Sequence, residues 1–322
     1  MKVQHLCLGL GLLGLIVVSS PIVVPAQTTF PTGAVKFITP LAAGVGTDPA
    51  MRIVAEKLGE MWRQRIVVIN QPGAGGAIAA RTAAGAAPDG RTLFMAIASS
   101  FSVLPITEPG LARTINNFVP IGFIGEVPMA IAVSPTLPAD SLPELVALSK
   151  KSPGGLNAAV EFPGGVPHLT IELFRGRTGA NINSVFYVRG MSAMSDVIAG
   201  RVPVMVEGLS SPIAAGQLKL LAVTSPARLA SHPDLPTVSE TVPGFAASGW
   251  FVLVAPPRTP ASIADKISND LRTALTDQEV RNKLAALSVS TRSLSAQQLK
   301  DFIQGEQQLW MPIVKQLNLA TH

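Results

Sequence analysis

The sequence predicts an α/β fold of two lobes with a cleft between them. Three observations carry this. Short apolar, β-prone runs alternate with glycine-rich loops and amphipathic helical segments. The series is interrupted by a proline-rich stretch and then starts again. After a last apolar run the chain ends in helices. Consecutive βα units imply a parallel sheet with right-handed crossovers, whose loops collect at the carboxyl ends of the strands. Open α/β sheets bind ligands at that edge.

Residues 1–26 form a separate object. Lys2 precedes an apolar run from Leu6 to Val18, followed by Ser19, Ser20 and the small-residue site Pro25-Ala26. This reads as a secretory signal peptide cleaved after Ala26, too short for a membrane span of ~20 residues. Cys7, the only cysteine, lies inside it. The exported domain therefore has no disulfide framework and depends on core packing.

Val35 to Ile38 is the first predicted strand, and Pro40 to Asp48 is a loop containing Gly44 and Gly46. Asp48 is expected to cap the following helix, with Pro49 at its first position. Met51, Val54, Leu58, Met61 and Trp62 fall on one face of that helix. Ile66 to Ile69 is the next strand, Asn70 to Gly76 a second glycine loop, and Ala77 to Ala86 a second helix. After the turn Ala87-Pro88-Asp89-Gly90, a third strand runs from Thr92 to Ala98 and ends at Ser99 and Ser100.

Phe118 to Gly125 and Met129 to Val133 read as two buried strands. A break rich in proline covers Pro135 to Pro143, and Ser141 caps a helix to Lys151. The second series then follows. It comprises a strand from Leu156 to Val160, a loop from Phe162 to Pro167 and a helix starting at His168. Asn183 to Val188 is a strand, Arg189-Gly190 a loop and Met191 to Ala199 a helix. Val202 to Glu207 and Leu218 to Thr224 are further strands. Gly249 to Ala255 is the last strand, and the tail is helical, with a Ser295/Gln298 capping box before the final helix. The chain is expected to cross between lobes near Pro128 and return near Gly249. This assigns residues 27–128 and 249–322 to lobe 1 and residues 129–248 to lobe 2.

Composition narrows the function classes. The 322 residues carry a net charge of +5, with 48% hydrophobic and 14% charged residues, which excludes a disordered chain. Lys and Arg are scattered and a single Tyr is available for base stacking, so no nucleic acid partner is expected. The mild basicity suits a small acidic solute.

The residues provide little for catalysis. His168 and Glu172 lie four apart on a helix, but no second His or Cys cluster accompanies them, so a helix-capping or core role is favoured over a metal site. There is no Gly-x-Ser-x-Gly elbow, no third glycine after Gly44-Val45-Gly46, and no Lys-Ser/Thr after Gly73-Ala74-Gly75-Gly76. No catalytic residue, metal or cofactor is expected. What the sequence does supply is main-chain N–H at strand ends, in loops 40–48, 70–77, 99–102, 162–168 and 189–192. Amides at a helix start hold anions, though each such loop also reads as a plain turn. Arg189 can pair with a carboxylate, and Glu207 with an amine or with Arg189. An exposed surface charge is the competing reading for both.

Four stretches give the chain a resemblance to a known family. They are Gly46-Thr47-Asp48, Asn70-Gln71-Pro72-Gly73-Ala74-Gly75-Gly76, Ala87-Pro88-Asp89-Gly90-Arg91-Thr92-Leu93, and Leu221-Ala222-Val223-Thr224-Ser225 leading to Pro233-Asp234-Leu235-Pro236-Thr237-Val238. In order and spacing they resemble the Bug, or TctC-type, solute receptors of tripartite tricarboxylate transporters, over about Phe30 to Leu319. The resemblance implies a type II periplasmic-binding-protein fold with a hinge, no catalysis and no tightly held cofactor. It implies a small carboxylate ligand and membrane transporter subunits as partners, with the receptor acting as a monomer. The matching ligand-binding positions are Ala43, Gly44, Val45, Gly46, Thr47 and Asp48, then Ser99 and Ser100, Gly164, Gly165, Val166 and His168, and Arg189, Gly190 and Glu207. The family's Gly-Ser-Gly in the second-lobe loop is replaced by Gly164-Gly165-Val166, and Pro167 removes an N–H. These departures imply a shallower carboxylate grip there and a bulkier or more apolar solute. Two other readings stay open on the residues alone. One is a secreted α/β hydrolase, which needs His168, Glu172 and a serine to converge. The other is a receptor-like signalling protein without transport.

Overall fold

The computed structural model describes residues 30–44, 46–187, 190–209 and 213–319. The predicted signal peptide, Val45 and Arg189 lie outside these residues. Strands β1 (Val35–Thr39), β2 (Ile66–Asn70) and β3 (Thr92–Ile97) alternate with helices α1 (Asp48–Trp62) and α2 (Ala77–Ala84). Three short helices follow, α3 (Ala98–Ser102), α4 (Leu104–Thr107) and α5 (Pro109–Asn116), in a stretch where no helix is predicted from the sequence. Next come β4 (Val119–Val133), α6 (Leu142–Lys151), β5 (Leu156–Val160), α7 (Val166–Thr178), β6 (Ile182–Phe186), α8 (Gly190–Ile198), β7 (Val204–Gly208) and β8 (Lys219–Val223). The chain ends with α9 (Val238–Thr241), β9 (Ser248–Ala255), α10 (Ala261–Thr276), α11 (Gln278–Ala286) and α12 (Ala296–Gln316).

Among the described residues the strands run in the order β2-β1-β3-β9-β4-β7-β5-β6, with β8 also on β4. β1 is parallel to β2 and β3, and β5 is parallel to β6 and β7, as the two βα series require. β4 and β9 are antiparallel to their neighbours. The two strands expected over residues 118–133 are in fact one. Its first part, Val119 to Pro128, pairs with β9, and its second part, Met129 to Val133, pairs with β7 and β8. Pro128 lacks an N–H, yet its carbonyl accepts from Leu209 at 2.9 Å and pairing passes to a new partner there. Register shifts at Gly122 and Gly125 fit close packing: a Cβ on Gly125 would come within 2.5 Å of Val289 Cγ1.

The strands read as continuous apolar runs because both faces are covered. Phe251 and Leu253 face the layer of α1, α10 and α11, whereas Trp250, Val252 and Val254 face α2, the short helices and the start of α12. In the second half of β4, Met129, Ile131 and Val133 join the core under α6 and α7, and Ala130 and Ala132 join that under α8. α12 belongs to both halves. Leu299 and Ile303 pack on the first, while Trp310 and Val314 enter the core of the second. Residues 310–319 thus pack away from the lobe that the chain order suggests, because the long helix outruns the first core.

Thr224 ties the two crossings together. Its hydroxyl accepts from the Met129 N–H at 2.8 Å and donates to the Ala247 carbonyl, while its own N–H donates to the Met129 carbonyl at 2.9 Å.

Candidate functional site

The first glycine loop is folded by a buried carboxylate. Asp48 is 0% exposed. Its Oδ2 accepts from the Gly44 N–H and from Arg52 Nε, both at 2.8 Å, and its Oδ1 accepts from Asn70 Nδ2 at 2.8 Å. Asn70 Nδ2 also donates to the Leu41 carbonyl at 2.9 Å, and Arg52 donates to Asn70 Oδ1 at 2.7 Å. Asp48 is therefore not the helix cap expected from the sequence. Thr47 occupies that position without a side-chain cap bond, and Asp48 instead reaches back to shape the loop. Several strong donors hold the carboxylate better than one helix amide would. Gly44 and Gly46 take φ of 76° and 57°, a turn that side-chain-bearing residues rarely adopt.

The loop opens onto a cavity of about 300 Å³ bounded by both halves of the molecule. From the first half come Gly44, Gly46, Thr47, Pro49 and Ala50 around the start of α1, with Ile97, Ala98 and Ser99 at the end of β3. From the second half come Glu161 and Phe162 after β5, Val166 and Pro167 at the start of α7, and Glu207 and Gly208 ending β7. Val127, Met129, Gly249, Trp250, Leu287 and Val289 supply an apolar floor at the crossings. A Cβ on Gly249 would lie 2.9 Å from Met129 Cε, so glycine lets the strands approach there.

The first turns of α1 and α7 thus face one volume. Each carries amides without intrahelical partners and the positive end of a helix dipole. Among the described residues Thr47 Oγ1 and Ser99 Oγ are buried without a hydrogen-bond partner, and Ser99 is 3% exposed. Buried hydroxyls are seldom left unpaired, so both mark the wall as one made to receive a polar group.

Not every predicted position lines the cavity. Gly44, Gly46, Thr47, Ser99, Val166 and Glu207 do. Ala43 sits on the exposed side of the loop, Asp48 lies beneath it, and Ser100 is buried behind Ser99. Gly164 turns away, and a Cβ there would meet Val103 Cγ1 at 2.8 Å. Gly165 caps α7 and Gly190 opens α8. His168 is 4% exposed, and its Nδ1 accepts from the Gly164 N–H at 3.0 Å. Burial holds its pKa below the ordinary value, with Glu172, 3.8 Å from Nε2, opposing the shift and Arg175 adding to it. Among the described residues no serine hydroxyl bonds to His168; Ser184 instead reaches Glu172 at 3.5 Å. This is a helix-end brace without a paired nucleophile and base.

Sequence reading missed Glu161, Phe162, Met129 and Trp250. Glu161 follows its strand directly and Glu207 lies one residue from the end of its own, which was a usable signal; the floor residues are recognisable only once the two crossings are set side by side. Glu207 is pushed up to about 8, first by burial and then by the charge of Glu161, although the Gly208 N–H donates to its Oε1 at 2.8 Å. Burial raises Glu161 as well. No Lys, Arg or His is among the cavity-lining residues described.

Comparison with known proteins agrees with this architecture. Residues 50–319 match the TctC family, described as the tripartite tricarboxylate transporter family receptor. Protein BugT of Bordetella pertussis is 31% identical, over 95% of this chain and 96% of its own. Among solved structures, R. palustris Rpa4515 with adipate superposes with a TM-score of 0.82 at 28% identity, covering 89% of this chain and 97% of that one. MatC from Rhodopseudomonas palustris with bound malate gives 0.80 at 26% identity, covering 88% and 100%. By its two βα series, its shared cavity and this match over most of its length, the chain belongs to the TctC family of tripartite tricarboxylate transporter receptors.

Proposed function

We propose that the protein is an exported receptor that captures a small carboxylate between its two halves and delivers it to tripartite tricarboxylate-type membrane subunits. One observation carries this reading: the starts of α1 and α7, from different halves of the chain, line the same cavity. The ligand's acid group is received by the loop of Gly44, Gly46 and Thr47, with the Ser99 hydroxyl beside it. An anion held by preformed amides and a helix dipole needs no cationic side chain. Similar receptors holding adipate and malate support the ligand class.

Closure follows from the same layout. Residues 30–128 with 249–309 form one lobe and residues 129–248, joined by the end of α12, the other, and they rotate about the crossings near Pro128 and Gly249. The ligand touches both lobes and so favours the closed state. Thr224 holds the two crossings in register, and α12 limits the rotation by packing on both lobes. The membrane subunits read the closed shape. Residues 1–26 serve as a cleaved signal peptide, and the receptor acts as a monomer in the periplasm.

The test is a thermal-shift screen of the mature protein against mono-, di- and tricarboxylates and amino acids. A ligand present at a hundred times its Kd stabilises by about 2.7 kcal/mol and raises the melting temperature by several degrees. No shift across the panel would overturn the reading.

A further inference from the structure

We propose that Glu161 and Glu207 form a cation-recognising pole on the second-half wall of the cavity, so that the solute carries an ammonium group as well as a carboxylate. This rests on the receptor reading above and narrows its ligand class.

The two walls of the cavity differ in chemistry. The first half offers Gly46 beside the Thr47 and Ser99 hydroxyls, both unpartnered among the described residues, and these suit an anion. The second half offers two carboxyl groups, Glu161 at the end of β5 and Glu207 near the end of β7, each lining the same volume. Glu207 has one recorded partner, the Gly208 N–H, and Glu161 forms no hydrogen bond or ion pair among the described residues. The remaining lining is apolar, with Phe162, Val166 and Met129 nearby and no cationic side chain among the described wall residues. Both glutamates feel burial, and Glu207 also feels the negative charge of Glu161.

A half-buried carboxylate pair with no cation among the described wall residues is unfavourable in an empty site. The arrangement becomes favourable when a positive group enters between the two, because each lone oxygen then gains a charge-assisted hydrogen bond. A second ligand carboxylate would meet the opposite situation, with a like charge in a low-dielectric pocket. Ser99, 3% exposed and unpartnered on the same cavity, independently marks the space as built for a polar ligand. A zwitterion, with its acid end at the glycine loop and its amine at Glu161 and Glu207, satisfies both walls together. The apolar floor between them accepts the carbon chain.

Calorimetric titration with matched probes tests this. 4-Aminobutanoate is compared with glutarate and with butanoate, 5-aminopentanoate with adipate and with pentanoate, and leucine with 4-methylpentanoate. At neutral pH the amine-bearing member of at least one set should bind about 10-fold or more tighter than its partners, a step of roughly 1.4 kcal/mol. Glu161→Gln and Glu207→Gln keep side-chain volume, and each should reduce that preference about 10-fold while the protein still melts cooperatively. If in every set the dicarboxylate or the amine-free acid binds as well or better, or if both Gln variants retain the preference, the inference is overturned while the receptor reading stands. Absence of binding by any carboxylate in the wider screen would remove both.

Discussion

Replacing Glu207 with Gln should stabilise the unliganded protein at high pH and change it little at low pH. The Glu207 carboxyl ordinarily titrates at 4.5 and is held at about 8 here, by burial first and by the charge of Glu161 second. Its folded-state pKa is therefore raised above the unfolded value, and the folded chain binds this proton more tightly. The stability contributed by the group is fully present below about pH 4.5 and is lost as pH rises through about 8. With each pKa unit equal to ~1.36 kcal/mol, a fully excluded carboxyl would forfeit on the order of 4 kcal/mol by pH 8. Glu207 retains partial contact with solvent in the cavity, and its titration is shared with Glu161, so about 2 kcal/mol is expected. In a chain of this size that is roughly 3 °C in melting temperature. The assay is a pair of melting curves, wild type against Glu207→Gln, at about pH 5 and about pH 8. The variant should melt higher at the upper pH, with the gap largely closed at the lower. An equal gap at both pH values, or a variant that melts lower at the upper one, would refute the claim that the empty cavity holds a disfavoured charge.

Two other perturbations test the loop and the long helix. Gly46→Val forces a β-branched residue into a φ of 57°, a strain of about 1–3 kcal/mol, although its Cβ would meet only Leu41 Cδ1 at an ordinary 3.8 Å. Carboxylate binding should be lost while the melting temperature falls by only a few degrees; unchanged affinity would show that the loop is merely a turn. Trp310→Ala removes an indole buried in the second core, whose N–H donates to Glu306 at 3.1 Å; Glu306 also accepts from Trp250 Nε1 at 2.7 Å. A loss of about 3–5 kcal/mol in urea unfolding is expected, and a loss below about 1 kcal/mol would mean that α12 does not bind the two halves together.

The local elements were legible where one force dominated. The runs Val35–Thr39, Ile66–Asn70 and Thr92–Ile97 are strands, and nothing near them in sequence competes with that pattern. Ser141 and the Ser295/Gln298 pair cap their helices as expected because capping involves only residues three apart. Expectations failed where a distant partner intervened. Asp48 looked like a cap, but Asn70, from the next strand, and Arg52 draw it under the loop. Residues 118–125 and 129–133 read as two strands, but β9 on one side and β7 with β8 on the other receive them as one.

The sequence alone determined the alternating α/β series, the glycine loops that begin α1 and precede α7, and the family resemblance, since each depends on neighbours along the chain. Only the tertiary structure decided that those two loops face one cavity, that His168 braces a helix rather than touching that space, and that Glu161 joins Glu207 on its wall. Those relations depend on how β4 and β9 carry the chain between halves and on which side chains lose water there, and burial is a property of the assembled fold.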